Sequence, residues 1–263
     1  MKIKQLCFVS GVALATLVTA SAAQAALVVV PADLAPGAQY RLVFVTAGTR
    51  NATSTNIDDY NTFVTNEATG GTPAIDTALD TALNGAGFDL STITWKAIGS
   101  TASVDARDNT GTNPTLSTGV PIYLIDGNRV ANNNADLWDG SIQTAINRTP
   151  LDTVSTSLVW TGTTFFGLAT SYALGGCFGG CDFGNGFVAR GSSNVSFRIG
   201  GSWIFGFVDF YLDHLPLYGI SPVLTVPTPA VTVPEPSSLL GFITLGGLML
   251  GGAVRLTGGG SDT

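Results

Sequence analysis

The chain has 263 residues, a formal net charge of −7, and 11% charged side chains against 45% hydrophobic ones. From Ala26 to Glu235, Lys96 and seven arginines face seventeen acidic residues, a net of −9, which points away from nucleic acid because phosphate binding needs clustered Lys and Arg. About two hundred residues suffice for one domain with a core of its own.

The first elements concern export. Residues 1–25 place Lys2 and Lys4 ahead of an apolar stretch and end in Ala23-Gln24-Ala25, the small-x-small pattern of a signal-peptidase site. This is the form of a secretory signal peptide, and Cys7 would be removed with it. Next, "YRLVFVT" (40–46) alternates side chains and is rich in Val, Phe and Tyr, which predicts a strand. Ile57, Tyr60 and Val64 recur at helical spacing, with Asn56 and Asp59 placed to cap or charge the helix start. A second helix is expected from Thr72 as cap and Pro73 at the first position, through an apolar face of Ile75, Ala78, Leu79, Ala82 and Leu83, to Gly85.

Beyond Gly85 short strands are expected in "STITWKAIGS", "VPIYLIDG", "SLVWTGT", "VSFRIG" and "PLYGISPVLTV". Helices first and strands later indicate an α+β domain with antiparallel strands. Residues 171–201 hold nine glycines and little periodicity, which reads as a long loop region. Within it lie Cys177 and Cys181, the two cysteines left once the signal is removed. In an oxidising compartment the pair reads as a structural disulfide closing a short loop, of modest effect. A metal site would want about four Cys or His ligands, and the one histidine is His214. A thioredoxin-like motif would put two residues between the cysteines, and here there are three.

After the domain, "VPTPAVTVPEP" (226–236) carries four prolines in eleven residues and reads as an extended spacer of roughly 3.1 Å per residue. Leu239–Val254 is uncharged and is followed by Arg255. At sixteen residues with five glycines it is short of the roughly twenty a spanning helix needs, and reads as a weak or temporary anchor. The order Pro234-Glu235-Pro236, short hydrophobic run, basic residue resembles the PEP-CTERM sorting signal, here covering residues 234–256. That resemblance implies an exosortase as processing partner, a transient inner-membrane anchor, a cut near the Pro-Glu-Pro, and release to the cell surface or to the exopolysaccharide matrix of a biofilm. The family usually ends in several arginines, whereas Arg255 stands alone.

The segments "TWKAIGSTASVDARDN", "GVPIYLIDGNRVANNNADLWDGSI", "LVWTGT" and "PLYGISPVL" together are similar to a secreted bacterial family related to endostatin and the C-type lectin-like fold. The resemblance spans most of residues 38–225 of a domain taken as 27–225, and implies a loop-rich domain with helices packed on small antiparallel sheets. The Ca²⁺-dependent sugar motifs Glu-Pro-Asn, Gln-Pro-Asp and Trp-Asn-Asp are absent from the domain. It therefore implies the fold and an extracellular setting without a lectin site, metal or cofactor.

Candidate ligand-binding residues are Asp105, Asp108, Asp136, Trp138 and Asp139. Oxygens of Asp105, Asp108 and Asn109 could serve Ca²⁺, but their spacing is not that of an EF-hand. The plainer reading is a turn held by Asp side chains, with Arg107 paired to a carboxylate. Trp138 is either a sugar-stacking platform or a core aromatic, while Trp95, Trp160 and Trp203 are expected to be buried with their indole N–H groups bonded. His214 follows Asp213 with no serine nucleophile motif beside it, so no catalytic residue is assigned. These features suggest a non-enzymatic surface or matrix protein binding exopolysaccharide or another surface polymer. The alternative is a secreted carbohydrate-active enzyme tethered to the matrix, which requires two carboxylates about 5 to 10 Å apart in a cleft.

Overall fold

A computed structural model of the chain describes residues 27–70, 77–176, 186–197 and 202–228. The signal segment, the Thr72–Pro73 helix start, Cys177 and Cys181, and the sorting tail from Pro234 to Arg255 lie outside the described residues. The chain divides into Met1–Val226 and Pro227–Thr263, and every described helix and strand belongs to the first unit. Among the described residues no helix is long and apolar enough to cross a membrane.

Strand β1, Gln39–Val45, is buried on both sides, which explains its nearly continuous apolar sequence. Its alternation divides the core: Tyr40, Leu42 and Phe44 pack with the helices, and Val43 and Val45 pack into a second cluster on the other side. Helix α1, Ile57–Thr69, starts where Asn56 Oδ1 accepts from the Asp58 amide at 3.0 Å, with Asp58 and Asp59 in the first turn. It buries Ile57, Tyr60, Val64 and Ala68 and stops at Gly70, whose φ of 65° is the left-handed value that suits glycine.

Helix α2, Ala78–Gly85, is capped by Thr77. The Thr77 hydroxyl accepts from the Asp80 amide at 3.0 Å and donates to the Ala68 carbonyl at 2.8 Å, so one side chain starts α2 and fastens it to the end of α1. Leu79 and Leu83 form its buried face.

The remaining elements are β2 (Lys96–Ala97), α3 (Ala106–Asn109), β3 (Ile122–Leu124), β4 (Arg129–Ala131), α4 (Asn134–Leu137), β5 (Leu158–Trp160), β6 (Phe187–Ser192), β7 (Phe207–Phe210), β8 (Tyr218–Ile220) and β9 (Leu224–Thr225). One sheet runs β2-β8-β1-β3-β4, with β9 pairing the start of β1, and β5-β6-β7 form a second. The molecule is thus α+β. One pair departs from the antiparallel expectation: β1 and β3 are parallel, with Leu42 opposite Tyr123. A parallel neighbour needs a long crossover, and the β1–β3 connection contains α1, α2 and α3.

Two other expectations are corrected. Val195–Phe197, the described part of "VSFRIG", forms no strand, and the strand lies earlier, at β6, inside the stretch that reads as irregular. Glycine suits β6 because a Cβ on Gly191 would collide with the Trp203 carbonyl. The run "PLYGISPVLTV" forms two strands, because Pro222 lacks an amide hydrogen for the ladder and Ser221 turns its hydroxyl to the Leu42 amide (2.9 Å) and the Pro222 carbonyl (2.7 Å). β9 then returns beside β1, with Gln39 opposite Thr225, so the domain ends next to where it begins.

Candidate functional site

The second core cluster, on the side of β1 that carries Val43 and Val45, is covered by polar loops held through side-chain hydrogen bonds. Three segments meet there. The Arg107 amide donates to the Gly167 carbonyl (3.2 Å), the Trp138 indole N–H donates to Thr112 Oγ1 (2.9 Å), and Asn134 Nδ2 donates to the carbonyl and hydroxyl of Ser117 (both 3.1 Å). Gly167, at φ 74°, stands where a Cβ would come within 2.8 Å of the Trp138 ring and 2.9 Å of Arg107 Cβ. Only glycine lets these segments approach so closely.

The assembly separates the sequence-named candidates by role. Asp105 is half-buried and its Oδ1 accepts from the Ala169 amide at 2.7 Å. Asp136 Oδ2 accepts from the Asn132 amide (2.6 Å), Asn132 Nδ2 (2.8 Å) and Gln143 Nε2 (2.9 Å). Asp139 closes a turn on the Ser141 amide (2.9 Å) and hydroxyl (3.2 Å). Asn109 pairs amide to amide with Asn61 of α1 (2.9 Å in each direction), while donating to the Ala97 carbonyl at 2.8 Å. Trp138 is 4% exposed and tilts against Trp203, ring centroids 6.0 Å apart, so its ring is a core element and not a sugar-stacking platform.

The other tryptophans are buried as expected, with one correction. Trp160 donates to the Arg50 carbonyl at 3.0 Å, but among the described residues the buried Trp203 Nε1 finds no hydrogen-bond partner. His214 is exposed on the turn that follows β7. Among the described residues no three His, Cys, Asp or Glu side chains are grouped to hold a metal ion.

Two of the candidate aspartates, Asp108 and Asp139, are exposed. Asp108 lines a pocket of about 250 Å³ together with Arg107, Gly111, Asn113, Leu116 and Ser117. Its Oδ1 accepts from Asn113 Nδ2 at 2.6 Å. Arg107 corrects a second expectation: among the described residues it forms no ion pair with a carboxylate, and its buried Nε finds no hydrogen-bond partner. Under the loop, Arg41 donates to the carbonyls of Thr110 (3.0 Å), Ser221 (2.8 Å) and Gly111 (3.4 Å), and burial lowers its pKa from the usual arginine value.

Sequence reasoning passed over Asn113, Leu116 and Ser117, which occur in an ordinary-looking polar turn. The available signal was Leu116, an isolated large apolar residue among Thr, Ser, Asn and Pro, and it is 80% exposed. Elsewhere, a cavity of about 300 Å³ is lined largely by hydroxyls, including Thr49, Thr149, Thr153 and Thr156. A further one of about 330 Å³ lies beside Glu67, whose Oε2 accepts from the Gly48 amide at 2.6 Å. No protein-family model matches the chain, and a search of curated proteins finds no similar sequence.

Proposed function

We propose that this chain is an exported, non-enzymatic surface or exopolysaccharide-matrix protein, sorted through its C-terminal tail by an exosortase. The observation that carries the reading is the order of the tail: Pro234-Glu235-Pro236, a sixteen-residue uncharged run and Arg255. It follows a Pro-rich spacer and is matched at the other end of the chain by Lys2, Lys4 and Ala23-Gln24-Ala25. On this reading the domain is delivered across the membrane, held briefly, cut near the Pro-Glu-Pro and retained by polymer at the surface.

The domain supports a binding role in two ways. Three loop segments meet over one side of β1 and leave a small, largely apolar pocket lined by Arg107, Asp108, Asn113 and Leu116 among others. Asp105, Asp136 and Asp139 hold backbone amides, which leaves a tethered carbohydrate-active enzyme without a free pair among them. The lectin-like or endostatin-like fold belongs to the same proposal. It is supported by the closing of β9 on β1 and by the gathering of loops on one side.

The test is the intact mass and location of the mature protein in cells with and without a functional exosortase. A cut near Pro236 and release that depends on the enzyme are expected. An uncut, membrane-held chain in both strains would overturn the sorting reading.

A further inference from the structure

Resting on the export and sorting reading above, we propose that the two ends of the domain fix the order of its two processing cuts. The signal is removed only while the amino-terminal segment is still undocked, whereas the tail is cut from the finished fold. A cut after Ala25 leaves Ala26 as the single residue between the scissile bond and Leu27, which packs against the helical core. The residues that follow are committed to the domain. The Val28 amide donates to the Ile125 carbonyl at 2.9 Å. Val29 is 4% exposed, and its carbonyl accepts from the buried Tyr40 hydroxyl at 2.6 Å. Val30 packs on the same core, and Gly127 makes room for Val28, since a Cβ there would come within 2.9 Å of Val28 Cγ1.

A peptidase takes its substrate as an extended strand and bonds its backbone on both sides of the scissile bond, so cutting is governed by the burial and hydrogen bonding of the flanking backbone. Leu27–Val30 cannot serve the domain and the peptidase at once. The two residues from Ala25 to Leu27 span at most about 7 Å, which would press a folded domain against a membrane-bound enzyme. The carboxyl end is built the opposite way. β9 lies on the start of β1 with Leu224 opposite Tyr40. Val226 then closes the fold, its carbonyl accepting from the Gly37 amide and its amide donating to the Ala38 carbonyl, both at 2.9 Å. Thr228 is already exposed. The eight residues from Val226 to Pro234 reach roughly 25 Å in an extended Pro-rich chain, so a second enzyme meets the Pro-Glu-Pro without loosening β9. Tyr40 serves both ends, holding Val29 through its hydroxyl and facing Leu224 across the ladder, so docking of the amino-terminal segment and closure of the domain are coupled.

The test uses the full-length precursor, folded in detergent and incubated with purified signal peptidase or with membranes that carry an exosortase. Beside the wild type stands a variant with about twelve Gly and Ser residues inserted between Ala26 and Leu27, a flexible segment of roughly 19 Å reach that leaves the docked residues in place. The insertion should raise the rate of signal removal at least tenfold with the melting temperature unchanged. Tyr40→Phe, which deletes the bond to Val29 and keeps the buried ring, should raise it a few-fold. The cut near Pro236 should proceed equally in all three folded proteins. Signal removal at one rate from the wild type and both variants, or a tail cut that occurs only on unfolded chain, would overturn the proposed order. No signal removal from any of the three defeats the signal-peptide reading itself. Absence of the tail cut from folded and unfolded chain alike defeats the sorting reading, independently of the result at the amino end.

Discussion

At its C-terminal half β1 is fully buried on both sides, but the two sides are covered by different means. Leu42 and Phe44 meet α1 and α2, whose apolar faces are built from local periodicity and side-chain caps. Val43 and Val45 meet a cluster that includes Trp138 and Trp203, roofed by loops that hold together through Asp105, Asn109, Thr112, Asn134 and Asp136. On the helical side, stability resides chiefly in apolar burial. On the loop side it resides in individual hydrogen bonds and close backbone approaches, each of which is costly to lose.

Phe44→Ala tests the helical side most severely. Its ring meets Trp95 edge to face with centroids 4.9 Å apart and is fully buried, so truncation should cost about 3 to 5 kcal/mol in urea unfolding. A loss under about 1 kcal/mol would show that the helical side does not form the principal core.

Gly162→Ala tests the loop side. At φ 63°, a Cβ would lie 2.5 Å from the Leu174 nitrogen and 2.6 Å from the Ser100 carbonyl oxygen, both backbone atoms that cannot rotate away. A loss of more than about 2 kcal/mol is expected in the same assay, from strain and displaced backbone together. Wild-type stability in this variant would mean that the loops give way easily, and the contrast between the two sides would fail.

Asn61→Ala tests the join between the sides. Asn61 leaves α1 to bond Asn109 and to accept from the Ala97 amide at 2.9 Å, and its removal leaves that buried amide unpaired. The expected cost is about 1 to 3 kcal/mol, with faster hydrogen exchange at Ala97. Unchanged exchange there would show that the network is dispensable.

The smallest effect belongs to Asp33, which is exposed. The Tyr123 hydroxyl, first, and the Arg129 guanidinium hold its carboxyl below the usual aspartate range. Because the folded pKa lies below the unfolded one, this contribution is complete above the usual aspartate range and disappears as the pH falls through the depressed value. Asp33→Asn should therefore lower the melting temperature slightly at neutral pH, and the difference should vanish in acid. A difference that persists unchanged to about pH 2 would show that ionisation of Asp33 does not contribute.

The helical side was largely legible because its instructions are local. Asn56 and the Ile57–Tyr60–Val64 spacing lie within one helix, and alternation in "YRLVFV" lies within one strand. Even there Thr77, which caps α2, was not read as a cap, because it is fixed by a second partner in the Ala68 carbonyl, a tertiary contact that no local pattern encodes. The candidate site was legible as residue types in roughly the right segments, but Asp105, Asp108, Asp136 and Asp139 are chemically alike in sequence and were separated only by their partners.

By itself, then, the sequence determined the α+β class, the β1 strand, helix α1 and the burial of Trp95, Trp160 and Trp203, since each follows from spacing or from the cost of exposing a large apolar surface. The tertiary structure alone decided the parallel β1–β3 pairing, the strand within the glycine-rich stretch, and which aspartate remains at the pocket. Among the described residues it also left Arg107 without a carboxylate. The physical reason is separation along the chain: Asp105 finds its partner 64 residues away and Asn61 finds Asn109 at 48, and hydrogen bonds across such distances have no local periodicity to announce them.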